Sequence, residues 1–248
     1  MRVTRIWRHP VKGHGVEPLA AVALVAGTTM PWDRVWALAV EGAKVAPGTR
    51  DWARCANFSR GAKSPALMAI RAAVDEAAGR VTLSHPRRET ITVDPDDAGD
   101  AARLVAWAAS FVDPGRAQPA FVVRAGVGMT DSPFPSVAVL NRSSLAALGE
   151  RLGMDLAMER FRGNLWIEGL APFAEFDLVG REIRMGGAVL AVRQPITRCV
   201  ATAVDPATGV RDADTLGGLE AGWGHRDFGV FGEVVSGGRV TVGDDVAL

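Results

Sequence analysis

The sequence predicts a mainly β, α+β protein: barrel-type sheets, a few flanking helices and a β-rich N-terminal subdomain. Three observations carry this. Short runs rich in Val, Ile, Leu and Trp recur along the 248 residues, punctuated by 28 glycines and 14 prolines. Only two long stretches show the three-to-four-residue apolar spacing of an amphipathic helix. One stretch, "RVTLSHPRRETITV", carries two alternating arms around a proline-containing turn, the pattern of a β-hairpin with Val81 and Leu83 facing Ile91 and Val93.

Taken in order, the first strand runs from Val3 to Arg8, and Leu19 to Val25 is an apolar strand ending at Gly27. Arg34 to Val40 alternates weakly, and Leu67 to Val74 leads into the hairpin. Further strands are expected at 119–124, 136–140, 164–168, 181–192, 198–204, 228–235 and 239–247. In "DPDDAGDAARLVAWAASFV" early acids suit the positive end of a helix dipole, and Leu104, Val105, Ala108, Phe111 and Val112 form one stripe. "NRSSLAALGERLGMD" predicts a second helix, capped by Ser143 or Ser144, with Leu145, Leu148 and Leu152 inward and Gly153 as its stop. "DADTLGGLEAG" predicts a short third helix weakened by its glycines. The Pro/Gly-rich "FVDPGRAQPA" marks a boundary near residue 115, dividing 1–115 from 116–248.

Composition narrows the function. Twenty-eight bases balance 28 acids, so no long-range field favours nucleic acid or an acidic membrane. No stretch approaches the roughly 18 apolar residues of a membrane span. "MRVTRIWRHPVKGHG" lacks an apolar signal region, so a cytoplasmic protein is expected, taken as a monomer. Two cysteines, Cys55 and Cys199, make neither a disulfide framework nor a thiolate metal cluster.

Four stretches carry chemistry. In "RQPITRCVATAVDPATG", Cys199 reads either as buried filler or as a thiolate favoured by Arg198 and Arg193; spacing leaves both readings open. In "RFRGNLWIEG", Arg160 and Arg162 alternate before Asn164, as solvated surface groups or as forks for an anionic, planar ligand. In "WRHPVKGHG", Lys12 sits in a Gly-rich turn where main-chain N–H groups can approach an anion. His9 and His14 flank it without metal-ligand spacing. In "MTDSPFPSVAVLN", Thr130, Asp131 and Ser132 form a polar cluster, an ordinary turn or a ligand contact. Neither G-x-G-x-x-G nor G-x-S-x-G occurs in a supporting context.

In this order the stretches resemble the MOSC family, named for the C-terminal domain of molybdenum-cofactor sulfurase. "HPVKGHGVEPLAAVALVAGTTMPWDRVWAL" resembles the family's N-terminal β-barrel opening, a Pro-Val-Lys-Ser element followed by an Asp-Arg. "SPALMAI" resembles its short Pro-x-Leu strand, and "RFRGNLWIEGLAPFAE" its Arg-Phe-Arg-x-Asn strand and following Pro-Phe-x-Glu. "RCVATAVDPATG" resembles its cysteine loop, and "FGVFGEVVSGGRVTVGDDV" its closing strands. The layout is most similar to the amidoxime-reducing components and their bacterial counterparts.

The resemblance implies a molybdenum cofactor, a pterin dithiolene whose metal takes one protein cysteine, here Cys199. It implies that Lys12, Gly13, Arg34, Arg162 and Asn164 hold the pterin and its phosphate, with Thr130, Asp131 and Thr197 as further contacts. The implied activity is reduction of N-hydroxylated compounds such as amidoximes, hydroxylamines and N-hydroxylated bases. Electrons would come from a separate ferredoxin-, flavodoxin- or cytochrome b5-type carrier and its reductase. The alternative is a carrier that bears a persulfide on Cys199 or hands over the cofactor. Gly13 departs from the family's usual serine, Ile196 stands where some relatives have cysteine, and Phe176 follows Glu175 where relatives often have aspartate. Cys55 lies in a segment that departs from the usual Thr-x-Arg pattern, and is read as structural.

Overall fold

A computed structural model describes residues 1–248. Its main sheet has eight strands, in the order Val246–Ala247, Glu182–Met185, Ala188–Thr197, Asp227–Ser236, Val137–Asn141, Leu165–Glu168, Arg2–Arg8 and Glu17–Leu19. All neighbouring pairs are antiparallel except Leu165–Glu168 beside Val137–Asn141, where Leu165 lies opposite Val139. The first strand is therefore stitched into the second half of the chain, with Ile6 between Leu165 and Leu19.

Strand Val137–Asn141 is buried along its whole length, because both of its faces are covered. Val137 and Val139 face one core with Val3, Ile6, Leu165, Leu190 and Val230. Ala138 and Leu140 face another, with Trp166, Phe161, Phe228 and the helices α2 (Arg142–Leu152) and α3 (Thr215–Trp223). Asn141 caps α2 by accepting the Ser143 N–H at 3.1 Å, and Gly153 ends it in the left-handed region. The predicted caps Ser143 and Ser144 are not used: Ser144 is fully buried and donates to Glu175 instead. The glycines of α3 serve packing, since a Cβ on Gly218 would come within 2.9 Å of Leu152.

The first half adds the pair Trp36–Val40 and Pro119–Arg124, and a meander of Arg71–Asp75, Arg80–His85 and Arg88–Val93. Val81 pairs with Val93 and Leu83 with Ile91, the register read from the sequence. α1 (Ala98–Ala109) lays Leu104 and Ala108 on this meander, and Asp97 caps it through the N–H groups of Gly99 and Asp100.

Five expected strands are corrected; one of them, 239–247, divides into Gly238–Thr241 and Val246–Ala247 around a turn at Gly243. Residues 67–74 begin as a 3-10 turn, Pro65–Ala69, because Pro65 fixes φ for a turn start; extension resumes at Arg71. Residues 181–192 are two strands folded back at Gly186, whose φ is +52°. Residues 19–25 divide between Glu17–Leu19 and Ala21–Leu24. Residues 198–204 are a loop and a 3-10 turn, Val200–Ala203, with only Val204–Asp205 extended beyond it. No helix is long and apolar enough to cross a membrane.

Candidate functional site

A cleft of about 280 Å³ opens where the irregular end of Ala188–Thr197 meets the 130–138 and 160–164 segments. It brings together seven residues predicted from sequence: Arg34, Thr130, Asp131, Arg162, Asn164, Thr197 and Cys199. Arg160 and Arg198 also line it, so the charged lining is four arginines and one carboxylate, Asp131.

Cys199 sits in extended backbone just before the 3-10 turn, and its side chain is exposed. Its carbonyl accepts from Thr202 N–H at 3.2 Å and Thr202 Oγ1 at 3.1 Å. Thr202 Oγ1 in turn lies 2.6 Å from Thr215 Oγ1 at the start of α3, so the loop is anchored while the thiol stays free. Arg198 does not aim its hydrogen bonds at the thiol. It donates to the carbonyls of Phe228 and Phe161, each at 2.8 Å, and lies over both rings. Burial pushes this guanidinium down to about 10, with carboxylate neighbours partly opposing the shift. Arg193 lies outside the cleft and pairs with Glu233. Arg198 thus fixes the 161 and 228 segments beside the thiol with which its charge interacts, and Arg193 makes a surface ion pair.

Arg34 and Arg162 both adopt positive φ, 53° and 46°, an uncommon conformation for a side-chain-bearing residue. Arg34 is held from three sides: its N–H donates to His9 O, its carbonyl accepts from Met129 N–H, and its guanidinium pairs with Asp33. A further N–H of that guanidinium reaches the Arg162 carbonyl at 3.0 Å. Arg162 donates to Gly15 O at 3.1 Å. Burial and the Arg34 charge push it down to about 9. Two such neighbouring cations favour an anion in the cleft.

Lys12 does not line the cleft. It is 4% exposed and donates to Met129 O, Thr130 O and Asp131 Oδ1, which uses all three of its N–H bonds and fixes the 129–131 loop. Burial lowers its pKa, partly offset by Asp131. The Asp131 side chain is 63% exposed, and the charges of Lys12, Arg34 and Arg162 hold its carboxylate below the usual range. Gly13 does not reach the cleft either. Its φ is +76°, and a Cβ there would lie 2.5 Å from Ser59 O.

Asn164 spends its amide inside the protein, accepting from Ala138 N–H at 3.0 Å and donating to Trp7 O at 3.2 Å. It shapes the cleft wall. Thr130 donates to Ser132 O, and Thr197 donates to Asp227 Oδ1 at 2.6 Å. His9 and His14 are fully buried and outside the cleft. No three His, Cys, Asp or Glu side chains gather as a metal site.

The alternation offers Arg160 as an anion fork or a solvated group, but the cofactor contacts implied by the resemblance omit it, and Asp33 is not selected. Arg160 lines the cleft at 3% exposure and makes a two-pronged pair with Asp212, at 2.6 and 2.7 Å. Its Nε–H is buried without a partner. The Arg-Phe-Arg alternation was the available signal. Glu175, in the Pro-Phe-x-Glu motif, is fully buried on Asn141 and Ser144, away from the cleft, and burial raises its pKa.

Fold and cleft together define a mainly β protein with an arginine-lined cleft that carries an exposed thiol. The chain belongs to the MOSC family: the MOSC N-terminal beta barrel domain matches residues 1–121 and the MOSC domain matches 129–247. Molybdenum cofactor sulfurase of Anopheles gambiae is 33% identical over 105 residues, 38% of this chain and 13% of that protein. The sulfurase of Drosophila grimshawi is 33% identical over 78 residues, 32% of this chain and 10% of that protein. The chain thus spans about a tenth of these curated relatives. Among solved structures, the YuaD protein from Bacillus subtilis aligns at a TM-score of 0.47 and 11% identity, covering 99% of this chain and 93% of that one.

Proposed function

We propose that the cleft holds a molybdenum cofactor with Cys199 as the metal's protein ligand, and that the protein reduces N-hydroxylated compounds in the cytoplasm. The single observation that carries this is an exposed, unengaged thiol on a cleft whose other wall is cationic. The donor set fits. A thiolate suits a thiophilic metal, and guanidinium forks suit a phosphate-bearing, planar pterin. Membership of the MOSC family and the sulfurase relatives support a molybdenum-cofactor-related role.

When bound, the cofactor supplies two-electron oxygen-atom transfer. The chain's residues bind and orient. Arg34, Arg160 and Arg162 hold negative charge, and Thr130 and Asn164 shape the wall beside them. Lys12 and Asp131 brace the 129–131 loop, and Gly13 lets the turn after Lys12 close on Ser59. Thr197, hydrogen-bonded to Asp227, keeps an exchangeable proton at the cleft mouth two residues from the thiol. Two cysteines provide no electron-storing cluster, so reduction draws on a ferredoxin-, flavodoxin- or cytochrome b5-type carrier with its reductase. The test is molybdenum content and benzamidoxime reduction with an artificial donor. About one metal per chain, lost in Cys199→Ser, together with amine formation, is the expected result. Molybdenum-loaded protein that leaves benzamidoxime untouched sinks the reductase reading.

The names of the relatives favour a second reading, a sulfur or cofactor carrier. Cys199 then bears a persulfide, and sulfane sulfur on metal-free protein, absent in Cys199→Ser, is its signature.

A further inference from the structure

A separate cavity of about 330 Å³ lies between the 56–64 segment, the end of strand Trp36–Val40 and the loop Gly115–Ala117. It shares no lining residue with the cleft. Its charged lining is Arg60, Lys63 and Arg116, all positive, and no carboxylate lines it. Ser59 and Ser64 also line it; they are 4% and 5% exposed, and neither hydroxyl bonds to another protein group.

The cations have donors to spare. Lys63 makes no ion pair. Arg60 commits one Nη1 hydrogen bond, to Cys55 Sγ at 3.0 Å, of its five N–H donors. Arg116 meets Asp113 only at 3.4 Å, in an exposed contact. In a chain whose charges sum to zero, three like charges around two idle hydroxyls form a site for an anion.

We propose that this cavity binds a phosphate-bearing anion, either inorganic phosphate or a small phosphate monoester. Tetrahedral phosphate oxygens accept from a guanidinium fork, an ammonium and hydroxyls together. Val40, Ala56, Phe58 and Ala117 supply an apolar wall against which the carbon part of a monoester packs. The inference is independent of the molybdenum reading.

The three lysines provide the test. Lys12 is buried, whereas Lys44 and Lys63 are exposed, and Lys44 lies outside the cavity. Acetylation of each by an amine-reactive ester is followed by mass spectrometry while phosphate is titrated at constant ionic strength, made up with chloride. Saturable, several-fold slowing at Lys63 with Lys44 unchanged is expected. Arg116→Gln, at an exposed position, moves the midpoint about tenfold higher, the scale of one charge-assisted bond. Equal slowing at both lysines, no slowing at Lys63, or an unmoved midpoint in Arg116→Gln overturns the proposal. Phenyl phosphate run in parallel separates the sources: equal midpoints assign free phosphate, and a lower one for phenyl phosphate assigns a monoester.

Discussion

Acidification from pH 7 to pH 5 will strip about 4 kcal/mol of folding stability, through two histidines. His9 and His14 are both fully buried. Burial, joined by the cations Arg162 and Arg34 and only partly opposed by Asp33, pushes His9 down to about 3. Burial outweighs the His14 hydrogen bond to the Lys12 carbonyl and pushes that ring down to about 4. In the unfolded chain both titrate near ~6.5. Between these values the unfolded state takes up protons that the native state refuses, so stability is full above pH 6.5 and falls as pH drops. At pH 5 each unfolded ring is almost wholly protonated, which costs about 2 kcal/mol apiece, with a slope near 1.4 kcal/mol per proton per pH unit. His85, also lowered by burial, adds to the slope, while Glu175, raised by burial, trims it toward pH 5. Asp33 and Asp131 titrate lower still and fall outside the window. Urea unfolding followed by far-UV circular dichroism at half-unit steps measures the loss. His14→Gln should reduce it by close to half. A stability flat within about 1 kcal/mol from pH 7 to 5, or a slope unchanged in that variant, refutes the argument.

Three further outcomes follow from single contacts. Asp33→Ala leaves Arg34 without its carboxylate and the His9 N–H, now bonded at 2.7 Å, without an acceptor; it should cost about 3–5 kcal/mol, read as a large drop in thermal midpoint. Gly13→Ser installs the residue usual in the family, yet it combines a left-handed backbone worth about 1–2 kcal/mol with overlap on Ser59 O, so denaturant titration should show a loss of about 3 kcal/mol. Cys199→Ser removes an exposed thiol, so the melting curve of metal-free protein should shift by less than about 0.5 kcal/mol.

Periodicity was a sound guide wherever one face of an element is buried. A one-residue slip in the hairpin would turn Val81, Leu83, Ile91 and Val93 out of their core, so the alternation dictates the observed register. The site was legible as a set of residues but not as a set of roles. Lys12 is expected as a phosphate ligand from its Gly-rich turn and from the family resemblance. Its real partners lie more than a hundred residues away, at 129–131, and nothing local reveals that they use every N–H bond it has. Arg198 reads as electrostatic support for Cys199 because it is the adjacent residue; the two charges do interact, and what the sequence hid is that its hydrogen bonds go to the carbonyls of Phe161 and Phe228.

Arg34 and Arg162 show why such roles escape local reading. At φ of 53° and 46° glycine would be free of strain, and a side chain there costs on the order of 1–3 kcal/mol. The chain keeps arginine at both positions. The left-handed turn at Arg162 presents its carbonyl to the Arg34 guanidinium, and the turn at Arg34 presents its carbonyl to Met129 N–H. Each strained residue thereby anchors another part of the cleft wall that it lines. The strain is confined to two of the four arginines lining the cleft, and Arg160 and Arg198 beside them have negative φ. A merely solvated arginine would relax out of that conformation; these two are held by contacts from His9, Met129, Gly15 and each other. The strain on both sides of the cleft is sustained by long-range hydrogen bonds that no window of sequence contains.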